Sequence, residues 1–147
     1  MWRVLEKDEL AQLKERLAER YGIEEIPYVI VKSGKRRYRI ATEEAVKVAG
    51  AQIVGVYVMK ETPFGLMLSI EGTQLLGPLA KKNILELPKE MVEDWMKGKD
   101  VEISEVGKNE LEQGLVIVRS GDLFLGCGFY DGRRIKNLLP KARKVVG

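Results

Sequence analysis

The sequence predicts an α+β fold: a small α/β unit over residues 1–72, then a mostly β unit over 73–147. Three observations lead there. Apolar residues recur at helical spacing between Asp8 and Gly22. Short β-branched runs separated by glycine turns fill most of the remainder. Between two apolar segments, Glu71-Gly72-Thr73 forms a polar, glycine-containing break, which is where the two units are expected to meet.

In chain order, Asp8 suits a helix N-cap, and Leu10, Leu13, Leu17 and Tyr21 form one apolar stripe that ends at Gly22, predicting a helix over 7–21. Residues 26–31 read as a strand, Ser33-Gly34 as a turn and 37–41 as the returning strand. This hairpin carries Lys32, Lys35, Arg36, Arg37 and Arg39, a basic cluster that a merely soluble turn explains equally well. Thr42 can cap a short helix over 43–48, and 52–59 is a β-branched strand returned through Thr62-Pro63-Phe64-Gly65 into 66–70. Gly77-Pro78 punctuates the chain, and Lys81-Lys82-Asn83 is expected on an exposed loop. Pro88 opens a helix whose Met91, Val92, Trp95 and Met96 share a face and which Gly98 closes. Trp95 reads as a core anchor rather than a stacking platform. A short strand follows over 101–106, then a polar connector.

Residues 114–130 form the strongest β signal: an apolar run to Arg119, a Ser120-Gly121 hairpin turn, and a bulky second strand. Strict alternation would put Leu123, Leu125, Cys127 and Phe129 on one face and Phe124, Gly126, Gly128 and Tyr130 on the other. The two glycines leave a hollow in that second face, open to a packed helix, a crossing strand or a ligand.

Composition narrows the chemistry. The chain has 147 residues, 45% hydrophobic and 32% charged, enough for an ample core. It contains no histidine and a single cysteine, so the usual zinc ligand sets and histidine-dependent nucleophile pairs cannot be assembled. The phosphate-loop, dinucleotide, HExxH and CxxC motifs are absent, adjacent pairs such as Glu24-Glu25 and Glu93-Asp94 read as solvated surface, and Cys127 reads as a small inert hydrophobe. No catalytic residue, metal or cofactor is therefore expected. No apolar leader and no run of about 18 apolar residues is found, so a cytoplasmic protein without a membrane partner is expected. Abundant Lys, Arg and Glu with few Asn and Gln lean towards a thermophile.

The net charge is only +3, but its distribution is uneven. After Asp131 the chain carries Arg133, Arg134, Lys136, Lys141, Arg143 and Lys144 and no further acid, interleaved with Ile135, Leu138, Leu139 and Pro140. Such a block repels itself unless an anion neutralises it, and a phosphate backbone does so with release of counterions.

The succession of the Pro88 helix, Gly98-Lys99-Asp100-Val101, Gly114-Leu115-Val116-Ile117-Val118 and Leu125-Gly126-Cys127-Gly128 resembles the PUA domain, a small RNA-binding β-barrel, over residues 75–146. The ending Arg134-Ile135-Lys136-Asn137-Leu138, then Pro140-Lys141-Ala142-Arg143, is similar to the PUA-like domain of Nop/Sun-type RNA cytosine-5 methyltransferases and to the C-terminus of Nip-type ribosome-biogenesis factors. The resemblance implies a small α/β N-terminal domain followed by a PUA-like β pseudo-barrel. It also implies binding of ribosomal RNA or tRNA through Arg133, Arg134, Lys136, Asn137, Lys141, Arg143 and the adjoining Lys144. No S-adenosylmethionine-binding Rossmann domain is present, so methyl transfer does not carry over. The expected role is a non-enzymatic RNA-binding protein in ribosome biogenesis or RNA modification, with a modification enzyme or pre-ribosomal protein as a further partner. An adaptor that docks through the apolar hairpin and first helix, or an RNA-modifying enzyme, are the alternatives.

Overall fold

The computed structural model describes residues 2–42, 44, 55–106 and 110–140. It is an α+β fold of two five-stranded sheets. The first sheet runs in the order β1 (Trp2–Val4), β2 (Val29–Ser33), β3 (Arg37–Ala41), β4 (Val56–Thr62), β5 (Gly65–Leu68), all antiparallel. The second has the order β6 (Ile84–Glu86), β8 (Gly114–Ser120), β9 (Leu123–Tyr130), β10 (Arg134–Asn137), β7 (Val101–Glu102), with β6 parallel to β8 and the other pairs antiparallel.

Helix α1 (Lys7–Tyr21) has the expected extent, but its N-cap is Glu6 rather than Asp8: the Glu6 amide donates to the Glu9 carboxylate at 3.1 Å. Gly22, at φ 66°, ends it by donating its amide to Ala18. Leu13, Leu17 and Tyr21 are buried, and the Tyr21 hydroxyl donates to the Leu66 carbonyl at 2.6 Å, joining the helix to β5. The helix expected over 43–48 and the start of the strand expected over 52–59 lie, Glu44 apart, outside the described residues.

The polar break at Glu71–Thr73 is not a linker but part of helix α2 (Ile70–Leu76). Ser69 caps it, accepting from the Gly72 amide at 2.9 Å and donating to the Tyr57 carbonyl. Gly72 is required by proximity, since a Cβ there would lie 2.0 Å from the Val58 carbonyl oxygen. A boundary at 72/73 therefore separates the strands of the two sheets but cuts a packed helix. Asn83 also departs from expectation. Lys81 and Lys82 are exposed, whereas Asn83 is buried, donating to the Arg20 carbonyl and the Glu112 carboxylate and accepting from the Glu112 amide.

Pro88 leads into a 3-10 turn and then α3 (Val92–Met96), which ends at Gly98. Trp95 is fully buried, as its register predicts, and its indole donates to the Leu125 carbonyl at 2.9 Å. The strand expected over 101–106 is shorter, because a 3-10 turn takes over at Ile103. In the β8–β9 hairpin the two turn residues are Gly121 and Asp122, one position later than Ser120-Gly121, since Ser120 pairs with Leu123.

Strict alternation fails along β9. Ile117 faces Cys127, yet Arg119 faces Phe124, so β9 carries an extra residue at Leu125-Gly126. Gly126 supplies the positive φ of 91°. The phase shift puts Phe124 with Cys127 in one core and Leu125 in the other. The bulge's backbone is satisfied from two sides. The Trp95 indole takes the Leu125 carbonyl, and the buried Thr73 hydroxyl accepts from the Gly126 amide at 3.0 Å.

The second sheet thus packs on both faces. Leu115, Ile117 and Cys127 meet Leu17, Tyr21, Ile30, Val58 and Leu66 of the N-terminal half in one core. Val116, Val118, Leu125 and Ile135 enclose Trp95, Leu85 and Leu139 in the other.

Candidate nucleic-acid interface

The exposed Arg133, Arg134 and Lys136 are positioned by the β9–β10 turn and the strand that follows it. Asp131 accepts from the amides of Arg133 and Arg134 at 2.9 and 2.8 Å, which fixes the turn and holds its carboxyl below the usual range, the Arg134 amide contributing most. β10 then alternates: Arg134 and Lys136 point to solvent, Ile135 and Asn137 inward. Arg133 is exposed and, among the described residues, makes no ion pair within 4 Å, though its charge helps to lower the Asp131 carboxyl. Arg134 lies opposite Glu102 and is held by it at 3.1 Å, with Asp100 at 3.8 Å, so its charge is already partly met by acids. Lys136 is exposed and opposite Phe129, whose ring rests against Phe64 at 4.7 Å between centroids. Phe64 is itself 57% exposed. An exposed ring against Phe129, with Lys136 opposite Phe129, is a surface suited to a phosphodiester with unstacked bases.

Asn137 does not belong to that surface. Its amide nitrogen donates to the Trp95 and Lys99 carbonyls at 2.8 and 3.1 Å, and its side-chain oxygen accepts from the Leu139 amide at 2.9 Å. Every polar group of the side chain except one lone pair is spent on closing the loop after α3. The expected RNA contact is a structural bracket instead. Lys141, Arg143 and Lys144 lie outside the described residues. The contact of Phe64 with Phe129 was not legible in the sequence, because the segments that bring them together are distant in the chain.

The glycine hollow is filled by protein. A Cβ on Gly128 would stand 2.4 Å from the Ile135 Cγ2 and 3.1 Å from the Trp95 ring, and one on Gly126 would stand 2.7 Å from Leu139. Of the occupants left open by the sequence, protein is the one found: side chains from α3, β10 and the residues after it.

A cleft of about 230 Å³ opens between α1, the β4–β5 turn and the start of β8, with Arg16, Glu19, Arg20 and Phe64 at its wall. Arg20 is occupied, donating to the carbonyls of Leu115, Gln113 and Glu112. Arg16 is occupied as well, gripping Glu61 at 2.5 and 2.8 Å. Cys127 is buried, and burial pushes its thiol up to about 12, which leaves no thiolate near neutral pH. Among the described residues no group of three or more His, Cys, Asp or Glu could hold a metal.

Residues 82–144 match the family described as Methyltransferase RsmF PUA domain, a segment that runs from β6 through β10. The whole chain is similar to a conserved PUA-domain protein from Thermoplasma acidophilum, with a TM-score of 0.68 at 12% identity, covering 97% of each chain. It is also similar to a PUA-domain protein from Aeropyrum pernix K1, solved as a tartrate complex. That match has a TM-score of 0.64 at 15% identity and covers 98% of this chain and 89% of the other. The chain has the PUA-domain fold. No curated protein matches it.

The PUA segment is the second sheet with α3, resembling the domain of the Nop/Sun methyltransferases. It begins seven residues after the onset read from the sequence at 75 and contains all seven expected contact residues. The N-terminal sheet lies outside the matched segment but inside the fold shared with the two archaeal PUA proteins.

Proposed function

We propose that this PUA-domain protein binds RNA without acting on it chemically, and serves ribosome biogenesis or the modification of rRNA or tRNA in the cytoplasm. A PUA domain implies RNA binding. One observation carries the reading: the segment that matches the PUA domain of a methyltransferase contains a strand whose outward positions, Arg134 and Lys136, follow Arg133 on an exposed face. Phosphates would lie on Arg133 and Lys136 first, with Lys141, Arg143 and Lys144 following in the chain, and with Arg134 partly screened by Glu102 and Asp100. A modification enzyme or pre-ribosomal protein is the further partner proposed.

The test is titration of a single-stranded RNA at several salt concentrations. If about four cations each neutralise a phosphate, the log-log slope is about −3, and Arg133→Gln with Lys136→Gln lessens it by about 1.4. A slope near zero for the unaltered chain, or no change in the double variant, overturns the assignment.

A second reading, an adaptor for another protein, rests on Leu123. This residue is 61% exposed at the β8–β9 turn and lines a hollow with Val92, Lys89 and Glu93. Charge removal at Arg133 and Lys136 would leave apolar docking there intact, which separates the two.

A further inference from the structure

The basic cluster of the first hairpin, left even between function and solubility by the sequence, takes on a definite shape in the fold. Cross-strand pairing sets Arg37 opposite Lys60 and Arg39 opposite Tyr57, so these four share one face of the N-terminal sheet. The Arg37 guanidinium lies over the Tyr57 ring, 4.9 Å from its centroid. Lys35 and Arg36 stand exposed in the adjoining turn.

What distinguishes this face is that its cations have no carboxylate partner among the described residues. Arg3, Arg16, Lys81, Lys97, Lys99, Arg119 and Arg134 each have a carboxylate within 4 Å. Among the described residues, Lys35, Arg36, Arg37 and Lys60 have none, and Arg39 makes a single bond, to the Gly55 carbonyl at 3.0 Å. The nearest acid along β4, Glu61, is committed to Arg16. Glu71 lies within electrostatic reach of Tyr57 and is the one acid bearing on the face from α2. Among the described residues the excess is four unpaired cations, one of which, Arg37, lies over Tyr57. Phosphates with exposed bases complement that arrangement: the cations take the charges, and the Arg37 guanidinium with the Tyr57 ring beneath it offers a base π-type contact.

We propose that this face is a second RNA contact, which takes an unpaired stretch of the RNA whose other part lies on the exposed face of β10. The inference rests on the RNA-binding reading above. It adds a site outside the matched PUA segment and assigns the N-terminal sheet a role in holding single-stranded RNA.

The test uses the full chain and two probes: an RNA hairpin with a single-stranded uridine tail, and the same hairpin without it. The key variant is Lys35→Gln with Lys60→Gln, because neither side chain makes an ion pair within the described residues and folding is therefore spared. A purely structural sheet face would not alter salt dependence. On the tailed RNA the double variant should lessen the log-log salt slope by about 1.4, and on the tailless hairpin it should match the unaltered chain. Tyr57→Leu should weaken the tailed RNA about ten-fold with no change of slope. If the Lys35/Lys60 variant binds both probes as the unaltered chain does, while Arg133→Gln with Lys136→Gln weakens both, the second contact is wrong and the β10 face stands alone. If the unaltered chain binds neither probe, the RNA reading itself falls and this inference with it.

Discussion

Gly128 illustrates how a single position separates packing from binding. Valine there suits a strand, but its Cβ would meet Ile135 at 2.4 Å, the Lys136 carbonyl at 3.0 Å and Trp95 at 3.1 Å. Gly128→Val is expected to cost roughly 1–3 kcal/mol of stability through overpacking. RNA affinity of the folded protein should stay unchanged. Thermal unfolding with RNA titration checks both parts, and a stable variant that no longer binds RNA would return the glycine to the interface. Asn137 teaches the same lesson from the polar side. In a basic block an asparagine reads as one more polar contact, and only its place two residues after Ile135 on an alternating strand marks it as inward-facing. Because β10 is four residues long and follows charged turn residues, that strand was not recognised, and neither was the direction of its side chains. Trp95 was legible, since its helical register with Met91 and Val92 already pointed to the core.

At the scale of elements, the long helix and the hairpins could be read from periodicity, whereas the short strands could not. β1, β6 and β7 have two or three residues each, too few for any period, and they exist because a neighbour supplies the ladder. β1 is a case in which a side-chain pair helps to fasten an edge. Arg3 donates twice to Glu9, at 2.5 and 2.7 Å, tying β1 to the first turn of α1. The Arg3 bond, reinforced by the Glu6 amide, draws the Glu9 carboxyl down from 4.5 to about 2. A carboxyl depressed in the folded state contributes stability above its unfolded value, and that contribution is lost as pH falls from 4.5 through 2. Glu9→Gln should therefore be less stable than the unaltered protein above pH 4.5, with the gap closing as pH approaches 2. Denaturant unfolding across that range is the check, and a gap independent of pH would remove the ion pair as its cause. Both partners are exposed, so the effect is small. The bulge in β9 is an element-scale feature that strict alternation missed, because its signal, one glycine in a strand, is shared by every close backbone approach.

Across the whole molecule, residues 1–72 and 73–147 supply the strands of one sheet each, but they do not enclose separate cores. Leu115, Ile117 and Cys127 of the second sheet are buried against α1, β2, β4 and β5 of the first half, and α2 straddles the join. A polar triplet with a glycine looks like a linker in sequence because nothing local reveals that Thr73 serves a bulge more than fifty residues away. The candidate surface was legible in part. The charge block after Asp131 includes the exposed Arg133, Arg134 and Lys136, whereas the aromatic neighbours Phe64 and Phe129, and the Arg37–Tyr57 contact, depend on segments distant in the chain. The central claim is that RNA lies along the cationic face of β10. Its most direct test is ultraviolet crosslinking of the full chain to RNA, followed by identification of the modified peptides. The account predicts adducts in the segment 129–136 and at Phe64, with a second set at Tyr57 on RNA that has an unpaired tail. Adducts confined to the exposed face of α1, or none at saturating RNA, would contradict it.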